Sequence, residues 1–300
     1  MIADEIRHAL ADGRGVVALE TTIVVHGLPA PVNLEVARAC ELAVRAGGAV
    51  PATVALLEGR ICVGLSRDEL EALADPLRVV AKLSARDLGV AMAEGLDGAT
   101  TVAGTIAVAQ KVGISVMATG GIGGVHRGAK ESFDESADLT ALSRTSVLVV
   151  ASGAKSILDV GATLERLDSL GVPVWGYRTK TFPGFYLEDS GFLVDWAVDS
   201  PAAAAAAFRA HRTLSTTGVV VAQPVASDQQ LAPALHDASL ASALALVEQR
   251  QVTGKDVTPV LLEEFARHSA GASVRVNRDL VVANARLAGE IAHALATLPS

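Results

Sequence analysis

Ser146-Val-Leu-Val-Val-Ala-Ser-Gly-Ala-Lys155 is an apolar run that closes on small residues and then delivers one lysine. It reads as a β-strand with that lysine at its carboxyl end. In an open α/β sheet, ligands bind where the strands end. A lysine among Ala, Ser and Gly does little for packing, so a desolvated Lys155 is a candidate Schiff-base nucleophile. The competing reading of the strand alone is a lysine that binds phosphate or pairs with a carboxylate.

Outward from this strand, strand-like and helix-like runs alternate. Gly15 to Val25 is β-rich, and Val32 to Ala46 has a helical period that Gly47-Gly48 ends. Val50 to Leu57 and Arg60 to Gly64 suggest a hairpin around Glu58-Gly59. Ser66, with Glu69 three residues on, predicts a capped helix to Ala74. Val79 to Leu83 and Val116 to Thr119 are further strands, and Thr101 to Lys111 is helical. Asp138 to Ser143 and Ile157 to Leu170 read as helices, and Val174 to Tyr177 and Gly218 to Val225 as strands. Three helices close the chain: Gln229 to Glu248, Thr258 to Ala270 and Asn277 to Leu298. The expectation is one compact α/β domain over residues 1–300, a central mixed sheet flanked by helices in three α/β/α layers.

Composition narrows the class. Of 300 residues, 50% are apolar and 19% charged, enough for an extensive core; aromatics are only 3%, so that core is mainly Ala, Val and Leu. Mean hydropathy is +0.40, but no apolar run is long enough to span a bilayer. The charged start Met1-Ile-Ala-Asp-Glu-Ile-Arg-His is unlike a signal peptide, and the expected location is the cytoplasm. Cys40 and Cys62 suggest neither a disulfide framework nor a metal motif. The net charge of −8, with no Lys/Arg stripe, argues against a nucleic-acid surface.

Three constellations carry chemistry. Glu20 interrupts the apolar run Ala18-Leu-Glu20-Thr-Thr-Ile, where a carboxylate is costly unless paired or functional. It suits a general acid, or else a strand-edge glutamate facing solvent or an arginine. Thr119-Gly-Gly-Ile-Gly-Gly-Val-His126-Arg-Gly128 holds five glycines in ten residues and can bring backbone N–H groups to an anion, though as neither a dinucleotide fingerprint nor a Walker loop. His126 inside it reads as a site residue. In Phe133-Asp134-Glu-Ser136-Ala-Asp138-Leu the two aspartates are four apart, so a helical turn would aim both at one hard divalent cation. The plainer reading is a helix cap at Ser136 and Asp138. Lys82 at a strand end could reach a phosphate or simply be solvated, Lys180 reads as a surface residue, and Asn277 and Asn284 share one helix face.

Together these stretches, with His26-Gly-Leu-Pro29, Gly153-Ala-Lys155-Ser-Ile-Leu-Asp159, Gly254-Lys-Asp-Val-Thr-Pro259 and Asn284-Ala-Arg-Leu-Ala, resemble the pseudouridine-5'-phosphate glycosidase family, also called the indigoidine synthase A type. The likeness runs along most of the chain. It implies reversible cleavage of the C–C glycosidic bond of pseudouridine 5'-phosphate to uracil and ribose 5-phosphate, with a divalent metal, usually manganese (Mn2+), in a homotrimer. It further implies Lys155 as Schiff-base lysine, Glu20 as proton donor and Asp134 as metal ligand. Ser136, Ala137 and Asp138 would line the substrate, Lys82 would lie near its phosphate, and Val102 would also touch it. Thr119, His126 and Asn284 correspond to polar positions around base and sugar. The competing functions are a Schiff-base aldolase on another sugar phosphate and a non-catalytic sugar-phosphate-binding module.

Overall fold

Valine-rich runs too short to cross anything but a sheet form the centre of the molecule, and the helices between them close over both faces. The computed structural model describes residues 1–252 and 257–299. The chain opens with α1 (Asp4–Ala11), β1 (Val16–Leu19), a π-helical turn (Ile23–Gly27) and α2 (Val32–Ala46). Next come β2 (Val50–Leu57), β3 (Arg60–Val63), α3 (Arg67–Leu73), β4 (Ala81–Leu83), α4 (Leu88–Ala93), β5 (Gly98–Thr100) and α5 (Val102–Val112). The middle holds β6 (Val116–Ala118), β7 (Val125–His126), α6 (Ala129–Ser132), α7 (Ala137–Leu142), β8 (Leu148–Ala151), β9 (Leu158–Asp159) and α8 (Val160–Ser169). Then follow β10 (Val174–Tyr177), β11 (Thr181–Phe182), β12 (Phe192–Leu193), β13 (Trp196–Val198), α9 (Pro201–His211) and β14 (Val219–Ala222). Helices α10 (Pro233–Arg250), α11 (Val257–His268) and α12 (Ala272–Thr297) complete it.

Among the described residues ten strands make one sheet, in the order β13-β10-β14-β8-β6-β1-β2-β5-β4 with β3 also on β2. From β13 to β2 every pairing is parallel, whereas β3 and β5 run antiparallel to β2. The expected hairpin and mixed sheet are therefore present. Helix α12 packs with α2 and α9 over β1, β6 and β8, while α5 packs with α7. The crossing of α12 on α2 is close because it is made of glycine: a Cβ on Gly289 would meet the Val44 carbonyl at 2.6 Å, and one on Gly47 the Arg286 carbonyl at 2.6 Å.

Register places the site. Leu19 pairs with Ala118, and Ala118 with Val150, so β1, β6 and β8 end level. The chain leaves β1 for β2 on one side and later fills β6 on the other. At such a reversal of strand order, open α/β sheets bind their ligands.

Several boundaries differ from expectation. The strand expected to Val25 stops at Leu19 despite β-branched residues beyond it. Thr21 and Thr22 turn their hydroxyls onto the carbonyls of Val54 and Thr100, at 2.8 and 2.6 Å, and these bonds across the sheet replace the ladder. The helix expected from Ile157 begins at Val160, because Leu158 and Asp159 first pair with β7; Asp159 then caps it through the Ala162 amide at 3.0 Å. The two- and three-residue strands β5, β7, β9 and β11 to β13, and helix α9, were not anticipated. Residues 254–256 of the Gly254-to-Pro259 motif lie outside the described residues.

Candidate active site

Glu20 and Thr119 follow paired strands and face one another, the Thr119 hydroxyl donating to Glu20 Oε1. Behind Glu20 the backbone is fixed by a threonine network. Thr21 N donates to Thr100 O at 3.3 Å, Thr100 N to Thr21 Oγ1 at 2.9 Å, and Thr100 Oγ1 to Val54 O at 2.8 Å. The motif Glu20-Thr-Thr was legible, but the positioning role of its threonines depends on β5 and was missed.

Lys155 is held by an extension of the sheet beyond its last strand residues. Ser152 N donates to Gly120 O at 2.8 Å, Ile122 N to Gly153 O at 3.0 Å, and Lys155 N to Ile122 O at 3.2 Å. The glycine loop is thus an improvised partner strand. Its glycines serve close approach: a Cβ at Gly123 would meet Ser136 Oγ at 2.1 Å, and one at Gly124 would meet Thr163 Oγ1 at 2.3 Å. Part of the loop's amide set is thereby committed to the protein. The amides of Ile122, Gly123 and Val125 already donate to Gly153 O, the Asp138 carboxylate and Thr163 Oγ1.

Asp138 is buried, and its two oxygens accept from Ala103 N at 2.9 Å and Gly123 N at 2.8 Å. It ties the first turn of α5, where Val102 is buried, to the glycine loop. The shared helical turn expected for Asp134 and Asp138 is not formed, since α7 begins only at Ala137. The plainer reading holds: Ser136 caps α7, its Oγ accepting from Asp138 N at 3.2 Å. Ser136 and Ala137 stay partly accessible beside it.

Asp134 stands across a short ladder from His126, whose backbone N donates to Asp134 O at 3.0 Å, while Nδ1 lies 4.0 Å from Asp134 Oδ2. Burial pushes the His126 pKa below the ordinary histidine value; the Asp134 carboxylate opposes this, and the Lys155 and Lys82 ammoniums add to it. The ring is therefore neutral at neutral pH and free to accept or donate at one nitrogen each. Lys82, on β4 opposite Ala99, acts electrostatically on His26 as well. His26 sits in the π-helical turn with Nε2 buried and unpartnered among the described residues, and burial followed by the Lys82 charge lowers its pKa. The sequence reading gave it no role, because π turns are not legible in composition. Lys180 is exposed, as expected.

Asn284 does not open onto the surface. It is fully buried on α12, where Nδ2 donates to Thr119 O at 2.9 Å and Ser152 Oγ at 3.1 Å. It clasps the ends of β6 and β8 from behind, and so sets the spacing of Thr119 and the Lys155 segment. Asn284→Ala is expected to cost about 2–3 kcal/mol, since it orphans a buried carbonyl and hydroxyl and leaves a void. Urea unfolding checks this; a loss under 0.5 kcal/mol would refute the clasp.

Among the described residues no three His, Cys, Asp or Glu side chains gather to hold a metal alone. Asp134 fits a lesser role. It is partly exposed, with no close side-chain hydrogen bond among the described residues, and suits a hard cation completed by water and substrate oxygens.

Residues 5–294 match the family model described as indigoidine synthase A like protein. The chain is 58% identical to a pseudouridine-5'-phosphate glycosidase of Salinispora tropica, over 97% of this chain and 90% of that one. It is 53% identical to a pseudouridine-5'-phosphate glycosidase of Streptomyces griseus, over 99% and 92%. Its fold is similar to that of the prealnumycin C-glycosynthase AlnA in complex with ribulose 5-phosphate, with TM-score 0.90, 40% identity and coverage of 99% and 96%. An indigoidine synthase A-like protein from Thermotoga maritima gives TM-score 0.86 at 35% identity, over 95% and 94%.

Proposed function

From the premise that this chain belongs to the indigoidine synthase A like family, we propose that it reversibly cleaves pseudouridine 5'-phosphate to uracil and ribose 5-phosphate, with Lys155 as nucleophile and Glu20 as proton donor. The observation that carries the reading is the alignment of strand ends. Leu19, just before Glu20, ends level with Val150 of the strand that leads to Lys155, and the charges of Lys82 and Lys155 both act on His126, which supports this reading.

The chemistry follows from the bond. A C–C glycosidic bond offers no nitrogen leaving group, so the sugar carbon needs an electron donor bonded to it as the bond pair departs with the base. In cleavage, the Lys155 amine bonds to C1' as the ring C1'–O4' bond breaks, and O4' takes a proton. Glu20 then delivers a proton to C5 of the base. The C1'–C5 electron pair leaves with the uracil, and the lysine nitrogen lone pair closes to an iminium at C1'. Water adds to that iminium and releases ribose 5-phosphate with the amine restored. A carboxylate pair, the usual device for O-glycosides, supplies no such nitrogen lone pair.

The Thr119 hydroxyl orients the Glu20 carboxyl, neutral His126 offers a hydrogen bond to the sugar or base, and Lys82 meets the phosphate as a point charge. Asp134 would hold manganese, which supplies charge stabilisation at substrate oxygens when bound. The homotrimer and a cytoplasmic location belong to the same proposal.

Uracil and ribose 5-phosphate, incubated with the protein and Mn2+, should yield pseudouridine 5'-phosphate on chromatography, and chelation should lower the rate. Release of another carbonyl product without uracil would favour the aldolase. Binding without turnover would favour the non-catalytic module.

A further inference from the structure

Between His126 and Ser136 the chain makes an excursion with a firm base and a loosely held tip, of which Ala129 packs partly against the core. The base is clamped by His126 N on Asp134 O at 3.0 Å, Ser136 N on Gly124 O at 2.9 Å, and Arg166 Nε on Glu135 Oε2 at 2.8 Å. Among the described residues, every hydrogen bond made by residues 127–133 stays inside the loop or runs to Asp134 N at its foot. The one-turn helix α6 buries none of its residues. Gly128, at φ 81°, opens the tip. Phe133 closes it at φ 55° and ψ 25°, a left-handed conformation unusual for a bulky aromatic, and 85% of its surface is exposed.

An exposed phenylalanine in a strained conformation, one residue from Asp134, is costly in water and wasted on packing. Aromatic residues are scarce in this chain, and those near the glycine loop, Phe182, Phe185 and Tyr186, are buried, so none of these can offer a face to a ligand. Arg127 and Lys130 against Glu131 leave the tip with a net positive charge, opposite in sign to a sugar phosphate. Lys82, Lys155 and Glu20 serve the phosphate, the sugar carbon and the base carbon, which leaves the flat face of the pyrimidine without a partner.

We propose that residues 127–133 are a strap that closes over the occupied site, bringing Phe133 against the face of the uracil ring and making it a determinant of base affinity. This rests on the activity proposed above. Wild-type formation of pseudouridine 5'-phosphate tests that activity, and the ratio of variant to wild type tests the strap. For Phe133→Ala, KM for uracil should rise about tenfold, the size of one base–aromatic stack. KM for ribose 5-phosphate and its borohydride-trapped adduct should be unchanged within about twofold, and Phe133→Tyr should restore uracil KM. Trypsin cleavage after Arg127 and Lys130 should slow when both substrates are present. A Phe133→Ala uracil KM within twofold of wild type, equal rises in both KM values, or altered oligomeric state with unchanged kinetics would each overturn the strap.

Discussion

Replacing Lys155 with alanine is expected to lower turnover in both directions by about four orders of magnitude or more while leaving the protein folded. The two halves of that expectation have separate physical grounds. The fold survives because the segment is held by its backbone, through Ser152 N, Ile122 N and Lys155 N in the ladder with the glycine loop. Among the described residues the Lys155 ammonium makes no hydrogen bond or ion pair, so its loss should change stability by no more than about 0.5 kcal/mol. The activity fails because no neighbour can replace the amine that bonds to C1' and donates its lone pair to form the iminium. Lys155→Arg sharpens the test: it keeps the charge beside His126 but cannot form an imine. Ribose 5-phosphate with borohydride should label wild type at Lys155 and neither variant. An arginine variant with more than a tenth of wild-type turnover would reduce Lys155 to an anion-binding charge.

The strand that carries Lys155 was legible because its buried valines have one comfortable structural home. The same holds for the β2–β3 hairpin, where Glu58-Gly59 supplies the two positive φ values that the turn needs. Thr21 and Thr22 mark the limit. Their β-branched side chains fit a strand, and only the three-residue β5, too short to show a period, gives their hydroxyls the Thr100 partner that bends the chain. Asp138 was legible in its cap with Ser136 but not in its longer-range partners. Spacing paired it with Asp134, yet its partners are the amides of Ala103 and Gly123, which lie 35 and 15 residues away. Asn284 shows a partnership that spacing could not reveal. The family resemblance implies a polar position near base and sugar, and in the fold it bonds the ends of β6 and β8 from behind.

Glu20→Gln carries the second large effect, a fall of about 10²–10⁴-fold in C–C bond cleavage and formation. Glutamine is chosen because it keeps length, shape and the acceptor that the Thr119 hydroxyl addresses. The threonine network beneath it, from Thr21 to Thr100 and Val54, has no reason to move. What is lost is an exchangeable proton that can be passed to carbon. The two catalytic groups should then separate cleanly. The glutamine variant should still trap ribose 5-phosphate on Lys155 with borohydride, because imine formation at the sugar does not involve C5 of the base. Without borohydride, it should not join uracil to the imine-bound sugar. In D2O, wild type cleaving pseudouridine 5'-phosphate should release uracil carrying deuterium at C5, and the variant should release almost none. Turnover within tenfold of wild type would assign the proton to another group, with neutral His126 the first to examine. Loss of the trapped adduct would mean instead that Glu20 acts on the sugar, moving the proton transfer from C5 of the base to the ring oxygen.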